Sequence, residues 1–282
     1  MQPTAKPPEL FDRDLLLQRR QRAATAPVDF LQIEIATQLQ ERLIEVNRRF
    51  TTPLIIGPAS PGFREIVGLT DAPHISDDPT LNIGRAAHDL VIHAFSLHAT
   101  NDPVGQMIQS RLALQPDGLF IGILFAGRTL HELRAALAEA EAEVTGGLSP
   151  RVAPMGDLRD LGGLLQRAGF ALPVADTVTL NTSYPSMLHL MHDLRFMGET
   201  NVMRARHRAP MRRSLLTRAK EIYHQSFPVE GQRIAATFEV AFLTGWCPSA
   251  DQPKPLRPGS AQARLADALG TAETKLNEDD NG

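Results

Sequence analysis

The run HDLVIHAFSLH, His88 to His98, is apolar almost without interruption. A strand with one solvated face alternates in hydrophobicity, whereas a strand buried on both faces does not. The run is therefore read as a central strand of a parallel sheet. That constrains the rest of the chain, because parallel neighbours need long crossover connections. Such connections are present on both sides. Leu31, Ile35, Leu39, Leu43 and Val46 mark one face of a helix between Asp29 and Arg49. TTPLIIG follows as a buried strand ending at Gly57, and PGFREIVGL as a helix with Pro61 in its first turn. APHISDDP reads as a second short strand stopped by Asp77, Asp78 and Pro79. After the central strand, a helix opens beyond Asn101–Asp102, which are expected to cap it, and stops at a turn, QPDG. LFIGILF is another buried strand, and GRTLHELRAALAEAEAEV a long amphipathic helix closed by Gly146–Gly147. A helix over 157–168 ends at Gly169, and FALPVADTVTLNTSY is a strand.

Strand and helix alternate this far, which predicts an α/β fold. The alternation breaks after Tyr184. YPSMLHLMHDLRFMG and APMRRSLLTRAKEIYHQSF read as two helices, and RIAATFEVAFLTGW as a late strand. The late strand is expected at the edge of the sheet, antiparallel to its neighbour, with the two helices capping the strand carboxyl ends. The expected organisation is an N-terminal extension over 1–27, frayed over its Pro-rich first ten residues. A domain over 28–247 follows, with the cap inserted at about 184–228, and then a tail over 248–282 rich in Pro, Ala and charge.

Composition narrows the function classes. Net charge is −3, so nothing pulls the chain as a whole toward nucleic acid or an anionic membrane. The single cysteine, Cys247, excludes an intramolecular disulfide framework and any Cys-based zinc cluster, and suits a reducing compartment such as the bacterial cytoplasm. No apolar run is long enough to span a bilayer, and MQPTAKPPEL lacks the apolar core of a secretory signal.

Four stretches are distinctive together: FDRDLLLQRR (11–20), HDLVIHAFSLHATNDP (88–103), LQPDGLFIGILFAGRTLHELRAALAEAEAEVTGGLSPRVAP (114–154) and NTSYPSMLHLMHDLRFMGETN (181–201). TGWCPSADQPKPLRPGSA (244–261) agrees with them. The chain resembles the methyltransferase-fold assembly factors of respiratory complex I, a family linked to hydroxylation of an arginine in a core subunit, and their α-proteobacterial members. More distantly it resembles the malonyl-carrier-protein methyltransferases of biotin synthesis. The resemblance runs from Phe11 to about Ala261. It implies a class I S-adenosylmethionine-dependent, Rossmann-like three-layer sandwich with the last strand antiparallel.

In that fold the first strand runs into an acidic residue and a D/E-x-G-x-G-x-G turn. The glycines let the backbone approach the cofactor closely, and the following helix points its N-terminus at it. Here Ile55 stands at the acidic position. Gly57 is kept, Pro58, Ala59 and Ser60 replace the middle of the turn, and Pro61–Gly62 close it one residue late. Neither proline has an N–H to donate. Asp77 stands where the resemblance implies a carboxylate on the ribose hydroxyls, although an Asp before DP also suits a turn. Between Asp78 and His88 lie only PTLNIGRAA, too short for a helix plus a strand. The third strand of the fold is therefore expected to be reduced or missing, and the adenine pocket to lack a wall.

The cofactor-binding candidates are thus Gly57, Gly62, Asp77, Ser96 and Leu97, the last two at the carboxyl end of the central strand, where ligands bind in open α/β sheets. His98 is a candidate general base at the same mouth, or a hydrogen-bonded structural residue. Tyr184, at the start of the cap, is a candidate on the acceptor side or a packing residue. His189 and His192 share a helix face but have no third ligand at metal-site spacing, so no metal site is expected. Residues 204–220 carry seven Lys/Arg, no carboxylate and no aromatic residue, which favours an acidic protein partner over nucleic acid. Two functions remain open: a scaffold or assembly factor with a degenerate cofactor site and a protein client, or an active methyltransferase or arginine hydroxylase.

Overall fold

The computed structural model describes residues 9–252 of the 282. It comprises two units, Met1–Pro248 and Ser249–Gly282. Most of the Pro-rich start and of the C-terminal tail, residues 1–8 and 253–282, lie outside the described residues.

The first unit opens with α1 (Arg13–Ala23), capped by Asp12, whose carboxylate accepts from Leu15 N–H. Next comes α2 (Phe30–Glu45), whose Leu31, Ile35, Ala36 and Leu39 are buried at helical spacing. β1 (Pro53–Ile56), α3 (Pro61–Ile66), β2 (His74–Ile75), β3 (His88–Ala94) and α4 (Pro103–Ala113) follow. Then come β4 (Leu114–Ala126), α5 (His131–Thr145), α6 (Leu158–Arg167) and β5 (Ala171–Tyr184). Next are α7 (Met187–Met197) and α8 (Arg213–Ser226), and β6 (Pro228–Val229) and β7 (Arg233–Trp246) end the unit. The two-helix cap is corrected, since α8 packs along α5 in the helix layer, which leaves α7 and the segment after it as the cap.

The sheet order is β2-β1-β3-β4-β7-β5, with β6 paired to β7. β2, β1, β3 and β4 are parallel, and β7 is antiparallel to both its neighbours. This is the class I methyltransferase arrangement without its outermost third strand: no strand occurs between Ile75 and His88. The edge position expected for the late strand is corrected. β7 lies inside the sheet between β4 and β5, and β5 is the edge. Periodicity identifies a strand but not its neighbours. The QPDG turn is corrected as well. Asp117 has the turn-like φ of 63°, yet residues 115–118 form an irregularity within β4, where pairing jumps from His88↔Leu114 to Leu90↔Leu119.

Alternate residues of each central strand face opposite layers. Ile55, Leu90 and Ile92 join α2, α3, α5, α7 and α8 in one core, while Leu54, Ile56 and Val91 join α4 and α6 in the other. Each such side chain, fully removed from water, contributes about 2 kcal/mol. β1, β3, β4 and β5 all end on the same side of the sheet, and α7 begins just beyond the end of β5. The cap therefore starts where ligands bind in open α/β sheets.

Candidate functional site

β1 ends because Gly57 takes φ +96°, a conformation that L side chains avoid. A Cβ at Gly57 would lie 2.3 Å from Ala94 O and 2.9 Å from Ser96 Oγ, so the turn is pressed against the end of β3. Its polar groups are bonded within the chain. Gly57 N–H donates to Ile75 O (3.0 Å), and Ala59 N–H donates to Gly57 O (2.9 Å). His74 Nε2 donates to Gly57 O at 2.6 Å. Gln32 of α2 holds the other side, donating to Pro58 O (2.8 Å) and accepting from Ser60 N–H (2.7 Å). Ser60 in turn caps α3 by accepting from Phe63 N–H. Gly62 lies against Ile33 and Asp29 of the α2 region.

Asp77 is 3% exposed. Both its oxygens accept from Arg13 (3.0 and 3.2 Å) and both from Arg20 (2.9 and 3.0 Å). Burial alone would raise its pKa, but the guanidiniums of Arg20 and Arg13 outweigh burial and hold it at about 2. Arg20 also reaches Phe95 O. α1 is thus laid over the end of the sheet by two arginines. Its entry is pinned elsewhere as well: Asn101 pairs with both backbone groups of Phe11, and Asp12 N–H donates to Val202 O. Asp102 caps α4 as expected, while Asn101 serves this second purpose.

Ser96 and Leu97 are also engaged inward. Gln106 donates to Asp77 O and Asp78 O, so its Oε1 is the acceptor that faces His93 Nε2–H at 3.0 Å. That places the free lone pair on His93 Nδ1, which accepts from Ser96 Oγ at 2.9 Å. Burial pushes His93 down to about 4, which keeps it neutral. Leu97 is 3% exposed in the second core. A cavity between α2, the ends of β3 and β4, and α7, bordered by Leu31, Gln32, Phe95, Phe125 and Met197, measures ≈ 10 Å³. Ligand pockets run to about 300 Å³ or more. With the Gly57 turn, Asp77 and Ser96 hydrogen-bonded within the chain and Leu97 packed in the core, the residues present do not fit S-adenosylmethionine.

A larger space lies under the cap. A cavity of ≈ 270 Å³ is walled by apolar side chains including Leu16, Leu133, Leu137, Val152, Met155 and Met191. His98 lies on it, its Nε2 2.9 Å from Glu199 Oε2, and its buried Nδ1 has no hydrogen-bond partner. Tyr184 faces a different surface, beside His189 and Asp193. Burial, helped by the Asp193 charge, pushes its pKa up to about 12. His98 and Tyr184 therefore do not share one pocket.

The arginine-hydroxylase NDUFAF5 of Rattus norvegicus is 35% identical to this chain, over 94% of the chain and 85% of the relative. The chain belongs to the arginine-hydroxylase NDUFAF5 family. The Homo sapiens member is 33% identical over 89% of this chain and 81% of its own. A malonyl-[acyl-carrier protein] O-methyltransferase of Methylovorus sp. (strain MP688) is 31% identical over 62% of this chain and 56% of its own. No protein-family model matches. Solved structures of similar shape include the YcgJ protein of Bacillus subtilis, with a TM-score of 0.48, 10% identity and coverage of 77% of this chain and 99% of that one. Phosphoethanolamine N-methyltransferase 2 of Haemonchus contortus, bound to S-adenosyl-L-methionine, has a TM-score of 0.41 and 11% identity over 75% of this chain and 53% of that one. The strand order, not these shape matches, carries the fold assignment.

Within this NDUFAF5-family chain, sequence reasoning placed the Gly57 turn and Asp77 but missed what closes them. Arg13 and Arg20 are seven residues apart, two turns of one helix face, a spacing visible in FDRDLLLQRR. Gln32 and Glu199 carried no local signal. Among the described residues no group of three or more His, Cys, Asp and Glu could hold a metal. His189 pairs with Ser186, and His192 lies 3.5 Å from Asp193 and against Phe196. No described helix is long and apolar enough to cross a membrane.

Proposed function

We propose that the chain is a methyltransferase-fold assembly factor that binds a protein client and does not use S-adenosylmethionine. The observation that carries this reading is the Asp77 carboxylate. All of its hydrogen-bonding capacity toward the crevice is taken by Arg13 and Arg20, where the resembled fold seats a ribose. The prolines of the turn and the missing third strand support it, and so do Ser96 and Leu97, both engaged inward. Membership of the NDUFAF5 family supports a respiratory-chain subunit as the client. Calorimetric titration of the full chain with S-adenosylmethionine tests the reading. No heat of binding is expected, and micromolar affinity, about −8 kcal/mol, overturns it.

One observation favours a second reading, an enzyme acting on a protein or carrier-bound substrate. The His98–Glu199 pair lies on the ≈ 270 Å³ cavity, a histidine held by a carboxylate as a general base is oriented. That reading gains if the same titration gives heat and His98→Gln removes turnover of a client peptide without changing the melting temperature.

A further inference from the structure

The segment between α7 and α8 collects positive charge that the fold does not use. Arg204, Arg206, Arg208, Arg212 and Arg213 fall within ten residues, and no carboxylate follows Glu199 until Glu221. Two of the five are compensated: Arg204 pairs with Glu9, and Arg206 with Asp12 at 3.0 Å. Arg208, Arg212 and Arg213 are exposed and make no ion pair among the described residues. Arg212 is the N-cap of α8 without a side-chain cap bond, Arg213 is its first residue, and its first turn holds no acidic residue. Cations at the positive end of a helix dipole are unfavourable, so local stability does not account for them.

This cationic segment borders the apolar cavity, since Arg206, His207 and Met211 line it. Within the cavity Arg19 donates only to neutral groups, Thr200 Oγ1 (2.8 Å) and Asn201 O (2.5 Å). Burial, and then the charges of Arg206 and Arg22, push its pKa down. Among the described residues that line the space, the one carboxylate, Glu199, is engaged by His98. The combination is an apolar socket with an arginine rim short of counter-charge.

We propose that this socket and rim are the docking face for an acidic, amphipathic segment of a protein client. One apolar side chain of the segment seats against Leu133, Leu137 and Met191, and the flanking carboxylates pair with Arg208, Arg212 and Arg213. This rests on the reading of the chain as a client-binding protein. An RNA strand would need aromatic platforms for its bases, and residues 204–220 contain none.

The test is fluorescence anisotropy on the full chain with three labelled probes: a short peptide of Leu, Glu and Asp, the same peptide with Lys for every acid, and an oligouridine. The acidic peptide is expected to bind, and the Lys peptide not to. Affinity should fall at least about tenfold when Arg208→Glu, Arg212→Glu and Arg213→Glu are combined, with no fall in melting temperature, because all three are exposed and carboxylates suit the N-terminus of α8. It should also fall as ionic strength rises from about 0.05 to about 0.5 M. Met191→Trp, which fills the socket, should weaken binding without changing its salt dependence. The inference is overturned if the acidic peptide fails to bind, if the triple variant binds it as well as wild type, or if oligouridine binds more tightly and is lost in that variant. Such a failure with a silent S-adenosylmethionine titration leaves the assembly-factor reading standing. Heat in that titration removes that reading whatever the peptide does.

Discussion

Two places at the carboxyl end of this sheet are built in opposite ways. Above β1 the chain satisfies itself. The turn carbonyls and amides are bonded to His74, Gln32 and Ile75, the Asp77 carboxylate to two arginines, and the Ser96 hydroxyl to His93. Under the cap a cavity of ≈ 270 Å³ is lined by Arg19, which donates only to neutral groups, and is bordered by a segment whose Arg208, Arg212 and Arg213 make no ion pair among the described residues. Burying polar groups is tolerated only when they are paired, and unpaired ones are costly unless something else pairs them. The first place is therefore internally satisfied. The second is the place that still has capacity to bind. If the contrast is real, substitutions in the first should behave as core substitutions, and those in the second should not.

The largest effect is expected at Gly57→Ala. The new Cβ would meet Ala94 O at 2.3 Å on a backbone held at φ +96°, so strain and overpacking add. A loss of about 4 kcal/mol is expected from urea unfolding. A loss below about 1 kcal/mol would mean that the turn can lift away and that the crevice has room, which breaks the contrast.

Asp77→Asn comes next. It keeps the shape but leaves Arg13 and Arg20 facing a neutral amide, with side chains only 21% and 15% exposed. Removing one partner of a buried ion pair costs about 3 kcal/mol. If α1 is only loosely laid over the crevice, both arginines will turn to solvent and the unfolding midpoint will barely move.

Acid should then unfasten the same region in two stages. The pKa of His93, about 4 in the fold, lies below its ordinary 6.5. The unfolded chain therefore takes up that proton first, and stability falls as pH drops from 6.5 toward 4. Asp77 lies at about 2 against an ordinary 3.8, so its contribution is complete above 3.8 and is lost as pH falls toward 2. By linkage the His93 stage amounts to about 3 kcal/mol and the Asp77 stage to about 2 kcal/mol. Urea midpoints measured from neutral pH downward should show the first stage in wild type and lose it in His93→Phe. A flat profile between pH 6.5 and 4 would place His93 in contact with water and open the crevice.

Much of this region was legible in the sequence because it depends on local chemistry. A glycine before two prolines, nine residues where a helix and a strand would be needed, and an unbroken apolar run each speak for themselves. What closes the crevice was not legible. Arg13 and Arg20 meet a carboxylate 64 and 57 residues away, and nothing in a helix face of arginines names the acid that it will find. Glu199 reads as one polar residue in MGETN, and only the cap's return over the sheet brings it to His98, 101 residues distant. The interior place of β7 escaped for the same reason, since strand order is a property of the assembled sheet.

The smallest effect is expected in the open region, and it tests the contrast from the other side. Met191 is partly buried on α7 and lines the cavity. Met191→Phe adds a ring where there is space for it, so the overpacking that raises the cost at Gly57 is absent. The change in stability should stay within about 1 kcal/mol, as for other tolerated apolar exchanges. A loss as large as that at Asp77 would mean that the cap closes tightly in solution. The ≈ 270 Å³ would then be as unavailable as the crevice. A small loss together with weaker binding of the acidic peptide would separate the two places on one molecule. The crevice would hold the fold together, and the cavity would hold the client.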